Sequence, residues 1–223
     1  MKTSPTALVA ALMGLLAITP VWADTGRSAA WHAGYQTVDT EEAATLTFMR
    51  EEEKLARDLY RAMAEQWDAA IFTNIALSEQ QHMDAVKRML DKYSLADPAQ
   101  ADVAGWFSDP ELQTLYSELS AQGLGSYLDA LKAGALVEEV DIEDNENAVA
   151  STDNTDLATV YGNLLRGSRN HLRAFVGEIE RLGVVYEAQY LDPAVVDEIL
   201  DSPTERGNAG NPRSTGRRLG RQR

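Results

Sequence analysis

Four stretches of this chain set apolar residues at alternating steps of three and four, and each breaks its apolar line with a polar residue. The first reads Leu46, Met49, Glu53, Ala56, Tyr60, Met63, Trp67 and the second Phe72, Ile75, Glu79, His82, Val86, Leu90. The third is Leu128, Leu131, Ala135, Glu138, Ile142, with Glu139 on its adjoining edge, and the fourth Tyr161, Leu164, Ser168, His171, Phe175. At 3.6 residues per turn each set lies on one face of a helix, so the pattern demands four amphipathic helices. No strand pattern, phosphate-binding glycine loop or nucleophile elbow competes with it, and the expected class is all-α. An ionisable group on a core-facing stripe is costly unless it is paired or bound to a metal.

Glu79 and His82 stand three residues apart, so both can reach one point on the inward face. Glu-x-x-His on such a face is a ligand pair of di-metal four-helix bundles. In the run Glu51-Glu52-Glu53 only Glu53 falls on the first stripe. Glu52 belongs to a competing one (Phe48, Glu52, Leu55, Leu59), and Glu51 reads as part of a solvated face.

The segments Glu-Lys-Leu-Ala-Arg-Asp-Leu-Tyr (53–60) and Ile-Ala-Leu-Ser-Glu-Gln-Gln-His (75–82) resemble the first two helices of rubrerythrin-like and ferritin-like proteins. Residues 134–142 and 161–172 are similar to those of an uncharacterised prokaryotic branch of that superfamily, a domain of unknown function. The resemblance spans residues 40–190. It implies a ferritin-like four-helix bundle with a long crossover between its second and third helices. It also implies a carboxylate-bridged metal site: Glu53, the bridging Glu79, His82, one of Glu138 and Glu139, and His171. The chain departs from the symmetric pattern at Ser168, where a second Glu-x-x-His would need its acid. A hydroxyl cannot bridge two cations as a carboxylate does. Asp141, one turn beyond Glu138, offers a further oxygen. A di-iron centre, a mononuclear site and a degenerate one all remain open, with iron or manganese as the metal.

The 223 residues, 44% hydrophobic and 25% charged, suit one globular domain. Residues 1–23 have the layout of a cleaved secretory signal: Lys2, an apolar run from Ala7 to Ile18, and Val21-Trp22-Ala23 before Asp24. Export to a bacterial periplasm is the expectation. Residues 24–39 form a leader carrying Trp31, His32 and Tyr35, residues 40–201 the bundle, and residues 202–223 a polar tail expected to lack a fold. Cysteine is absent, which excludes disulfides, a rubredoxin-type iron relay, zinc-finger ligation and thiol catalysis.

The whole chain carries −15, while the tail holds six Arg against Glu205 alone. The acidic body should repel nucleic acid and attract cations, and the tail suits either an anionic surface or simple solvation. Expected partners are therefore metal ions, with dioxygen or peroxide as co-reactants; a homodimer is allowed.

The helices are expected at 40–67, 73–93, 126–148 and 154–182. Thr40 and Thr73 cap the first two, a short helix opens at Asp109-Pro110, and a last turn or two follows Pro193. Tyr60 and Tyr161 sit on core stripes, where they can hydrogen-bond metal ligands but read first as packing residues, and Arg57, Arg166 and Arg169 read as members of surface pairs ahead of partners for carboxylates around the site. Two functions fit: an iron or manganese oxidoreductase (oxidase, ferroxidase or peroxide scavenger), or a non-catalytic bundle that stores metal or has lost it.

Overall fold

In a computed structural model the described residues are 37–206, and among them every regular element is helical. The expected signal peptide, nearly all of the leader (with His32), and the tail beyond Arg206 lie outside them. The elements are α1 (Thr40–Trp67), α2 (Ala70–Lys92), α3 (Pro110–Gly123), α4 (Tyr127–Ser151), α5 (Thr155–Arg181) and α6 (Pro193–Asp201). No described helix is long and apolar enough to cross a membrane.

The ends follow local chemistry, with three departures from expectation. Asp39, not Thr40, caps α1, accepting from the amides of Glu41 and Glu42 while Glu42 reaches back to the Asp39 amide. Helix α2 starts at Ala70 rather than Thr73 and has no side-chain cap. Asp68 closes α1 in the left-handed conformation (φ 47°), so the chain reverses at once and the next helix begins two residues on. Helix α4, capped by Ser126 as expected, runs past Ala148 to Ser151. Asp109 caps α3 ahead of Pro110, Asn154 caps α5, and Gly183 (φ 79°) receives the chain after α5.

Helix α1 packs along α2, and α4 along α5, each pair a tight antiparallel hairpin. Tyr60 of α1 meets Glu138 of α4, whereas Glu42 near the start of α1 meets Thr152 just beyond the end of α4. Helices α1 and α4 are therefore antiparallel, and α2 and α4 run the same way. The chain must then travel the length of the helices between them, which residues 93–126 accomplish with α3 laid on α1 and α4.

That crossover is fastened to α1 by charged side chains that the sequence disguises as a solvated face. Every residue from Arg50 to Tyr60 is buried. Glu51, expected in solvent, is 4% exposed and accepts from the amides of Ser108 and Asp109 and the Ser108 hydroxyl. Arg50 forks onto Asp97, and Lys54 joins Asp58 at 2.6 Å while donating to the carbonyls of Val103 and Trp106. Arg57 is not in a surface pair: it is buried between Asp58 and Asp102.

The start of the expected tail is also tied down. Glu205 binds Arg169 through both carboxylate oxygens and exchanges backbone hydrogen bonds with the Asn170 side chain. The apolar core falls into two clusters, one around Tyr60, Phe72, Leu131 and Phe175 and a smaller one around Leu46, Val86, Leu157 and Leu164. Polar side chains occupy the layer between them.

Candidate metal centre

Helix α2 supplies the centre of that layer. Glu79 is 1% exposed, and each of its oxygens faces a different imidazole. Oε2 stands 2.7 Å from His82 Nδ1 on the same helix, and Oε1 stands 2.7 Å from His171 Nδ1 on α5. Glu53 of α1 lies 3.2 Å from His82 Nδ1, and Glu138 of α4 lies 3.4 Å from His171 Nδ1. Two overlapping groups result, Glu53–Glu79–His82 and Glu79–Glu138–His171, in each of which the ligand atoms lie within 4.8 Å of one another. The two rings lie nearly parallel, 5.6 Å apart.

Surrounding residues hold these side chains in place. The Tyr60 hydroxyl donates to Glu138 Oε1 at 2.6 Å, leaving Oε2 for His171. Ser78 Oγ lies 2.9 Å from His171 Nε2, which keeps Nδ1 turned inward. Gly167 of α5 makes room for His82, since a Cβ there would stand 2.5 Å from its Nε2. Tyr60 thus does more than pack, and Ser78 and Gly167 carry no sequence signal beyond their place beside a histidine.

Glu139, the alternative to Glu138, faces away from the cluster. It accepts from the Tyr186 hydroxyl and the backbone amides of Gln189, Tyr190 and Leu191. Its oxygens are used in anchoring the segment after α5, and the candidate ligand from this pair is Glu138.

The groups at the centre perturb one another strongly. Burial pushes the Glu53 carboxyl up to about 8, although His82 pulls the other way. Burial would also raise Glu79, but His171 and His82 hold it well below the usual carboxylate range. Burial opposes charge on His171, yet Glu79 and Glu138 bring it up to about 10; His82 is raised by Glu79 and Glu53 in the same way. Proximity does not mean hydrogen bonding here. Both oxygens of Glu79, Oε2 of Glu138 and Nδ1 of His171 are buried without a hydrogen-bond partner.

A family pattern described as an uncharacterized protein domain, DUF2202, matches residues 42–203. The chain belongs to this family. The uncharacterized protein MJ0754 of Methanocaldococcus jannaschii is 49% identical over 172 residues, covering 77% of this chain and 93% of the relative. A crystal structure of hypothetical protein MJ0754 superposes with a TM-score of 0.75 at 47% identity, over 78% of this chain and all of that one. A DUF305 fragment from Deinococcus radiodurans aligns at 18% identity and a TM-score of 0.45, too remote to bear on the argument. DUF2202 membership agrees with the expectation of a domain of unknown function, and an activity must be argued from the side chains.

Proposed function

We propose that this DUF2202 protein is a ferritin-like four-helix metal protein. In this reading Glu53, Glu79, His82, Glu138 and His171 hold two divalent cations, iron first and manganese second. The observation that carries it is the set of orphaned atoms at the centre. Both oxygens of Glu79, Oε2 of Glu138 and Nδ1 of His171 are buried without a hydrogen-bond partner, although His171 Nδ1 stands 2.7 Å from Glu79 Oε1 and 3.4 Å from Glu138 Oε2. Such groups are costly in a core, and a cation bound by them removes the cost. The donor set of carboxylates and imidazoles fits iron or manganese.

Glu79 would contribute to both sides, because its two oxygens face the two histidines separately. Glu53 with His82, and Glu138 with His171, complete the two sides. Iron held this way supplies one-electron exchange with dioxygen or peroxide. Tyr60 keeps Glu138 oriented, its hydroxyl donating to the carboxylate across 2.6 Å. His82 and His171, at 13% and 11% side-chain exposure, are the edge of the centre nearest solvent, so small reactants reach it from between α2 and α5. Export to an oxidising compartment belongs to the same proposal and rests on residues 1–23.

A metal-free structural module is the second reading, and the charge pattern favours it in one respect. Two protonated imidazoles flanking Glu79 would balance the carboxylates without any cation. Elemental analysis of protein purified without chelator, with a UV–visible spectrum after aerobic iron loading, separates the two. Bound metal and a carboxylate–iron charge-transfer band are expected; an unchanged spectrum and no metal would leave the structural module standing.

A further inference from the structure

Helices α4 and α5 face each other in a fixed register. A Cβ on Gly134 would lie 2.7 Å from the Phe175 ring, so Gly134 sits directly against Phe175. Four residues along both antiparallel helices, Glu138 meets His171, with Oε2 3.4 Å from Nδ1. Continued three residues further in the same 4/3 alternation, that register brings Asp141 to the level of Ser168, while its side chain also borders a small cavity with Glu52, Leu55 and Leu112. Asp141 and Ser168 are buried, at 2% and 1% exposure. Ser168 Oγ is turned to the Leu164 carbonyl of its own helix at 3.3 Å and offers nothing across the interface. Asp141 Oδ2 is buried with no hydrogen-bond partner.

Position 168 is where a symmetric site would have placed the acid of a second Glu-x-x-His, and Asp141 lies at its level on the neighbouring helix. We infer that Asp141 supplies from α4 the carboxylate that α5 lacks, as a further ligand on the Glu138–His171 side of the centre. The inference rests on the metal reading above. Asp141 is one turn from Glu138, so the two share a face of α4 and can serve one cation. Its carboxylate is electrostatically in touch with Glu138, Glu53 and Glu79, and no basic group stands among its principal neighbours. It lies outside the two groups whose atoms are within 4.8 Å of one another, so its side chain must turn toward the centre when a cation arrives.

Stoichiometry and affinity for Fe(II) added anaerobically, with Mn(II) as a redox-silent check, test this on the full mature chain. The natural protein is expected to bind two ions. Asp141→Asn, which keeps the shape and removes the charge, should weaken the second ion about tenfold or more. The double variant Asp141→Asn, Ser168→Glu should recover it, because the carboxylate is then returned from the other helix. Unaltered melting of metal-free Asp141→Asn shows that the loss is not unfolding. If Asp141→Asn binds both ions as tightly as the natural chain, the role of Asp141 is overturned and the metal centre stands. If the natural chain binds neither ion, the centre itself is overturned and Asp141 with it.

Discussion

Two groups of buried charges share helix α1, and they are built in opposite ways. On the face toward the crossover, Arg50, Glu51, Lys54, Arg57 and Asp58 are all paired. Asp58 alone accepts from Lys54, Arg57 and the Gly105 amide. On the inward face, Glu53 joins Glu79, His82, Glu138 and His171 in a cluster where both Glu79 oxygens, Glu138 Oε2 and His171 Nδ1 stay without a hydrogen-bond partner despite close contacts. Both groups are desolvated, yet only the first is satisfied by the protein itself, Arg50 Nη1 apart. Burial of charge therefore does not mark a site; a surplus of acceptor atoms without donors does. Neighbours in sequence make the point most sharply, for Glu139 has its oxygens filled by a loop and Glu138 Oε2 has none.

The largest expected effect comes from breaking the satisfied group. Asp58→Ala strips Lys54 and Arg57 of their shared anion, both side chains being 1% exposed. Removing one partner of a buried pair costs about 3–5 kcal/mol. Urea unfolding should show that loss, with the crossover released from α1. A loss under about 1 kcal/mol would mean that water reaches these charges and that the contrast between the two groups is overdrawn.

Metal is the corresponding perturbation of the other group. At a hundredfold excess over Kd, a cation bound only by the folded chain adds about 2.7 kcal/mol. The increment should grow with pH. Metal-free, the folded chain holds protons that the unfolded chain releases: burial takes Glu53 from 4.5 to about 8, and Glu79 and Glu138, against burial, take His171 from 6.5 to about 10. Stability from groups raised in this way is complete below their unfolded values and is lost as pH rises through the folded ones. A cation must displace those protons, so its affinity rises over the same range. Melting curves with and without Mn(II) at pH 6.5 and pH 8 check this. An increment that shrinks as pH rises would contradict it.

Glu139→Gln sharpens the comparison from the paired side. The amide keeps one acceptor but turns a second donor toward the backbone N–H groups of residues 189–191, and hydrogen bonds to a charged partner are worth about 1.5–3 kcal/mol. A loss of roughly that size, with unchanged metal stoichiometry, is expected from parallel unfolding and elemental analysis. Lost metal would return Glu139 to the ligand set.

The four stripes carried the helices, because period and burial are tied by geometry, whereas the crossover between parallel helices and the set of candidate ligands came with the resemblance to ferritin-like proteins. What neither could carry was the partner of each buried charge. Glu51 read as solvated and Arg57 as a surface residue, since nothing local marks a crossover that comes back from residues 97–109 to cover them. The choice between Glu138 and Glu139 was likewise open, for it depends on where residues 186–191 dock. Ser168 was visible as a departure, but the residue at its level on α4 required the α4–α5 register that Gly134 and Phe175 fix.

The smallest expected change in stability, and the most discriminating, is Glu138→Gln. Burial already pushes this carboxyl up, with Glu79 adding to the shift against the pull of His171, so the charged form is poorly supported without metal. The amide oxygen keeps the hydrogen bond from Tyr60, and the new NH2 takes the place of the unpartnered Oε2. One hydrogen bond is altered and one strained charge removed, so the metal-free protein should melt within about 1 kcal/mol of the natural chain. Metal should nonetheless be lost from the His171 side, because an amide cannot replace the negative charge. A side chain whose neutralisation leaves the fold intact and removes a cation is the reverse of Asp58. If Glu138→Gln instead destabilised the metal-free bundle as severely as Asp58→Ala, the centre would be a paired structural network like the one on the other face of α1.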